Sequence, residues 1–171
     1  MSIPRLTATR LRRTFPSRGT LDRESVNLLP SIVDILCRNS SGGTLSGVAS
    51  AGCDVVTLDL ANLVEGRPLP VKKTPATVGV TAFGVVVDDQ GTVANGDPVW
   101  VRIWGIHDFV QIDGTAAIAN GDYLATFGSA GVLRSWAAGN QIIAQALEAY
   151  STGVVAAKKA FILNPSRIYG A

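Results

Sequence analysis

The chain has 171 residues, 47% of them hydrophobic and 16% charged, with a net charge of +2. That length suits a single domain with a proper core, and that apolar content excludes general disorder. No apolar run approaches the ~20 residues of a membrane-spanning helix, and the N-terminus "MSIPRLTATRLRRTFPSR" has no continuous apolar segment of the kind a secretory signal needs.

The charge is unevenly placed. Arg5, Arg10, Arg12, Arg13, Arg18 and Arg23 stand against one acid, Asp22, in the first 23 residues, a local balance of +5 that leaves −3 for the rest. Residues 1–28 show neither the two-residue period of a strand nor the 3.6-residue period of a helix, and they contain Pro4, Pro16 and Gly19. They read as an extended basic arm. "LLPSIVDILCR" (28–38) fits a short helix and a strand equally well. "NSSGGTLSGVASAG" (39–52) reads as a flexible hinge of small residues. Residues 1–52 therefore form the expected arm and hinge, 53–164 a folded domain and 165–171 a tail.

"CDVVTLDL" (53–60) alternates as a strand does, whereas the three prolines of "EGRPLPVKKTPAT" (65–77) predict an extended crossing segment and exclude a central strand. "VGVTAFGVVVDD" from residue 78 reads as a strand, with "DDQG" of hairpin-turn composition. In "PVWVRIWG" (98–105), Val99, Val101 and Ile103 share one face and Trp100, Arg102 and Trp104 the other. "DFVQI", "YLATF", "VLRSW", "QIIAQALEAY" and "KKAFIL" follow at even spacing with Gly, Asn or Asp between them. "NQIIAQALEAY" competes as a helix, since Gln141, Ala144, Leu147 and Glu148 are good helix formers. The whole predicts an all-β fold, a small β-sandwich or β-barrel with an extended N-terminal arm.

Reactive groups are few. "ANGD" occurs twice, at 94–97 and 119–122, and Asn-Gly in this setting is turn chemistry. Neither Asp97 nor Asp122 belongs to a loop with enough oxygen ligands for calcium. His107, next to Asp108, could be a general base with its orienter, but no Ser or Cys nucleophile motif accompanies it. "VASAGCDVV" with Lys72 and Lys73 faintly resembles the self-cleaving Ser–Lys repressors, yet the downstream serine motif of that family is absent. No phosphate-binding or dinucleotide-binding glycine motif is present. Catalysis, a metal and a cofactor are thus not expected. Cys37 and Cys53 read as reduced and buried.

The arm's arginines can neutralise phosphates or pair with carboxylates of a protein neighbour. With little aromatic interleaving and no basic body behind them, they favour a protein, and direct nucleic-acid contact is not expected. The row Trp100, Arg102, Trp104 has the residue types enriched at interfaces. It equally suits a second covered face of a sandwich. Candidate partner-binding residues are therefore Arg5, Arg10, Arg12, Arg13, Arg18, Trp100, Arg102 and Trp104.

From residue 66 to 164 the order of elements is distinctive: "RPLPV", "GVTAFGVVVDD", "NGDPVWVRIWGIHDFVQIDG", "AIANGDYLATFGSAGVLRSW" and "NQIIAQALEAYSTGVVAAKKAFILN". This stretch resembles the capsid decoration, or cement, proteins of tailed phages in its Gly-Val-Val strand, its two GD turns and its closing A-L-E-A before an apolar strand. The resemblance implies a structural virion protein made in the host cytoplasm. It would bind the outer surface of the capsid, with the major capsid protein and further copies of itself as partners, a trimer being favoured. Residues 1–65 lie outside the resemblance. Another tail or head-completion protein with the same β module is the alternative, and a nucleic-acid-binding barrel a more distant one.

Overall fold

Residues 32–77, 81–126 and 128–163 are described by the computed structural model, together with the backbone of Arg12 and Arg13. The described residues are all-β, with one 3-10 turn at Leu60–Asn62 and no α-helix. In chain order the strands are β1 (Arg12–Arg13), β2 (Ile32–Asn39), β3 (Leu45–Val48), β4 (Gly52–Cys53), β5 (Val55–Leu58), β6 (Leu69–Lys73) and β7 (Gly84–Val86). They continue as β8 (Asp89–Val93), β9 (Pro98–Asp113), β10 (Tyr123–Thr126), β11 (Leu133–Ser135), β12 (Ile142–Ala146) and β13 (Val155–Ile162).

The pairings close the sheet on itself twice, and both closures run through β9. In the first ring β2 pairs parallel with β6, β6 antiparallel with β5, β5 with β7, β7 with β9, and β9 returns to β2. In the second, β9 pairs parallel with β11, β11 antiparallel with β10, β10 with β12, β12 with β13, and β13 returns to β9. The two rings have the same topology. Strands β2, β5, β6, β7 and β9 of the first correspond in order to β9, β10, β11, β12 and β13 of the second. β9 is therefore the last strand of one barrel and the first of the next, which is why it is 16 residues long. Small barrels of this kind are filled by side chains. Cys37, Leu45, Val56, Val71, Val86, Val99 and Val101 fill the first; Val110, Ile112, Leu124, Leu133, Ile143 and Ile162 are among those filling the second.

Alternation explains the valine runs. Val55 and Val85 lie opposite one another and pack with the second core, whereas their neighbours Val56 and Val86 face into the first. Strands buried on both faces need apolar residues at every position, hence "VV" in β5 and "VVV" from Val85 to Val87. A small corner of β3, β4 and β8 sits beside the junction, β3 pairing with both others and β4 reaching β9.

Several expectations are corrected. Helix and strand stood open for 28–38, and the described part of it is strand, Ile32–Asn39, which joins the sheet ahead of the expected domain start at residue 53. The 39–52 segment is not a hinge. Asn39 is fully buried, its amide donating to the carbonyls of Gly43 (2.9 Å) and Val93 (3.0 Å) while its Oδ1 accepts from the Ser41 N–H (2.9 Å). One buried side chain thus satisfies the backbone that small residues leave open. The proline-rich segment does enter the sheet. Pro70 lies opposite Arg38 of β2, but the ladder to β5 starts only at Val71, so the missing N–H falls at a strand start. "DDQG" makes no hairpin, because β8 turns away to pair with β3. One expectation stands: "NQIIAQALEAY" is strand, as favoured, at Ile142–Ala146, where pairing with β10 and β13 prevails over the competing helix propensity. The tail at 165–171 and most of the arm lie outside the described residues.

Candidate functional site

Both ANGD copies are turns. The Asp97 N–H donates to the Ala94 carbonyl and the Asp122 N–H to the Ala119 carbonyl, each at 3.2 Å, with Gly96 and Gly121 at positive φ (93° and 94°). The Asp122 carboxylate also accepts the Ala119 N–H at 2.7 Å. His107 is fully buried. Its Nε2–H donates to the Val86 carbonyl (2.8 Å), and its Nδ1 accepts the Phe109 N–H (3.2 Å). Burial lowers its pKa, so the ring is held neutral. Asp108 points the other way along the strand and pairs with Lys159 at 2.8 Å. This histidine fastens β9 to β7. Among the described residues no cluster of three or more His, Cys, Asp or Glu could hold a metal. Cys37 and Cys53 are free thiols in separate cores, each pushed up to about 12 by burial.

The charged side chains of the interior are consumed internally. Arg102 grips Asp34 with two bonds (2.9 and 3.2 Å) and donates a third to the Ile106 carbonyl (2.7 Å). Asp54 accepts from Lys73 (3.0 Å), the Ser46 N–H (2.7 Å) and Gln111 (3.1 Å). Asp59 is held down to about 2 by hydrogen bonds from Asn62, Lys72 and Ser40.

Among the described residues the large exposed apolar side chains lie in three places, the smallest being Val154 and Val155 at the start of β13. On the second barrel the register sets Ile106 of β9 opposite Phe161 of β13, Phe161 opposite Gln145 of β12, and Gln145 opposite Tyr123 of β10. Directly opposed residues share a face. The Trp136 N–H bonds the Tyr123 carbonyl (2.8 Å) at the far end, and Trp104 meets Phe161 edge to face at 5.2 Å at the near end. Trp104, Ile106, Phe161, Tyr123 and Trp136 thus make an outer stripe, with Ile106 46% and Tyr123 48% exposed. On the first barrel the β5–β6 connection carries Leu60 (71% exposed), Leu63 (55%) and Val64. That connection is not slack: Asp59 accepts the Asn62 amide (2.6 Å), the Leu63 N–H reaches the Leu60 carbonyl (3.5 Å), and Arg38 Nη2 donates to the Asn62 carbonyl (3.3 Å).

A scan against family models gives no match for this chain, and a search of curated proteins gives none either. Among solved structures, the crystal structure of the head fiber gp8.5 N base in bacteriophage phi29 is similar to it, with 16% identity, a TM-score of 0.47, and coverage of 78% of this chain and 96% of that one. The likeness is to a phage head-fibre base.

The residues proposed from sequence divide. Arg5, Arg10 and Arg18 lie outside the described residues, and Arg12 and Arg13 form β1 on the edge of β2. Trp100 and Trp104 are half-buried on β9 and not freely exposed, and Arg102 is committed to Asp34. Only Trp104 belongs to the outer stripe. Tyr123, Ile106, Phe161, Trp136 and the Leu60–Val64 connection were not foreseen. Which outward residues align is a matter of cross-strand register, and no local pattern encodes it.

Proposed function

We propose that this chain is a non-enzymatic structural virion protein that decorates the outer surface of a tailed-phage capsid. It bridges neighbouring major capsid proteins, and it acts as a homo-oligomer, a trimer being favoured. The observation that carries the reading is that each barrel bears an exposed apolar patch of several residues: Leu60, Leu63 and Val64 on the first, and the stripe around Ile106 and Tyr123 on the second. Because β9 belongs to both barrels, the patches sit at a fixed separation, as a clamp between two neighbours requires. Apolar patches rimmed by polar residues are the ordinary mark of a protein contact. The resemblance of residues 66–164 to decoration proteins points the same way.

The test is co-sedimentation of the purified protein with expanded capsids that lack it. Saturation at a fixed copy number per capsomer is expected. Leu60→Glu with Leu63→Glu, or Ile106→Glu with Tyr123→Glu, should each weaken binding about tenfold or more, as loss of a central apolar anchor does. Absence of binding by the unaltered protein would overturn the decoration role, and the tail or head-completion reading would replace it.

A further inference from the structure

One edge of β2 is shared by two partners. β9 occupies the opposite edge from Ile32 to Arg38. On the shared edge, β6 pairs only with Cys37–Asn39, and beyond its end the two residues of β1 take over, Arg12 opposite Asp34 and Arg13 opposite Val33. The stretch that β6 leaves, and that β1 covers only at Val33 and Asp34, contains Ile32, Val33, Ile35 and Leu36, all partly buried. An apolar strand edge with unpaired N–H and C=O groups is a template for another strand. Two residue pairs hold little alone, since the hydrogen bonds they make do not exceed the cost of fixing the residues that make them.

We propose that this edge is filled between copies: the arm of one chain, around Arg12–Arg13, adds a strand to β2 of a second copy. Residues 14–31 separate β1 from β2, and a chain of that length extends up to about 60 Å, enough to reach a neighbour's edge as readily as its own. Within one chain the arm gains this edge alone. Between copies the same pairing adds to whatever the barrels contribute, and each contact raises the effective concentration for the other. The charge favours it as well, since a +5 arm meets a body of −3. The inference rests on the homo-oligomeric part of the proposed function and not on its capsid.

Two differently tagged chains, one carrying Arg13→Cys and the other Val33→Cys, are co-expressed, purified together, oxidised and run without reductant. The native thiols are buried and contribute little background. The expected result is a mixed disulfide dimer at least about tenfold more abundant than either homodimer, as directly opposed positions favour. A chain carrying both substitutions then runs as covalent oligomers. A cross-link confined within single chains, or none, overturns the exchange. Sedimentation of the same samples separates the causes: oligomers without the mixed disulfide sink the exchange only, and monomers sink the homo-oligomer with it.

Discussion

Arg102 shows why a residue type does not settle its role. Between two tryptophans on an alternating strand it has the makings of an interface anchor, yet its guanidinium is spent on Asp34, which is 7% exposed, and on the Ile106 carbonyl. Arg102→Ala should therefore act on stability, by about 3–5 kcal/mol, because it strands a buried carboxylate. Urea midpoints check this, and a variant that folds normally but fails to bind its partner would contradict it. His107 gives a pH dependence. Its folded-state pKa lies below its ordinary value, so the unfolded chain binds the proton more readily. The stability this contributes is intact above about pH 6.5 and is lost as pH falls below it. Midpoints between about pH 7.5 and about pH 5 should decline for the native chain and decline less for His107→Gln, which removes the titrating ring.

At the scale of elements, strand identity was legible wherever a run alternates or is bounded by Gly, Asn and Asp, as in β10 and β13, whereas "PVWVRIWG" and "DFVQI", read as two strands, are the one continuous β9, Gly105 being carried within it. It was illegible where a partner decides. Ile32–Asn39 and Ile142–Ala146 are ambiguous in isolation and become strands because β9, β10 and β13 offer them edges. The start of the domain was misplaced for a related reason: a Ser/Gly-rich stretch looks like a hinge until the buried Asn39 is seen to hold it. The candidate site was less legible still, since its stripe is assembled from four strands. Close approach between elements also leaves a testable mark. β7 crosses β9 so tightly at Gly84 that a Cβ there would run into the Arg102 carbonyl oxygen and lie 2.7 Å from Val101 Cγ1. Gly84→Ala should destabilise by about 1–3 kcal/mol through overpacking. Thermal melting reads the loss, and an unchanged Tm would show that the two strands are free to separate.

For the whole molecule, the sharing of β9 ties two cores to one piece of backbone. Cys37 reports on the first core and Cys53 on the second. In the native protein both thiols should resist a disulfide reagent at neutral pH, since thiolate is scarce at a pKa of about 12 and neither sulfur is accessible. As urea rises, both should become reactive over one transition, because the first barrel cannot open without withdrawing β9 from the second. Separate Cys37→Ala and Cys53→Ala chains assign the two signals. Two transitions well apart would mean that each barrel stands without the other.

A chain that makes the final strand of one ring serve as the opening strand of a second joins its two barrels without a linker. The second ring requires only four new strands, β10 to β13, added to the one that closes the first. Stiffness between the two barrels comes from backbone continuity, with no joint to bend.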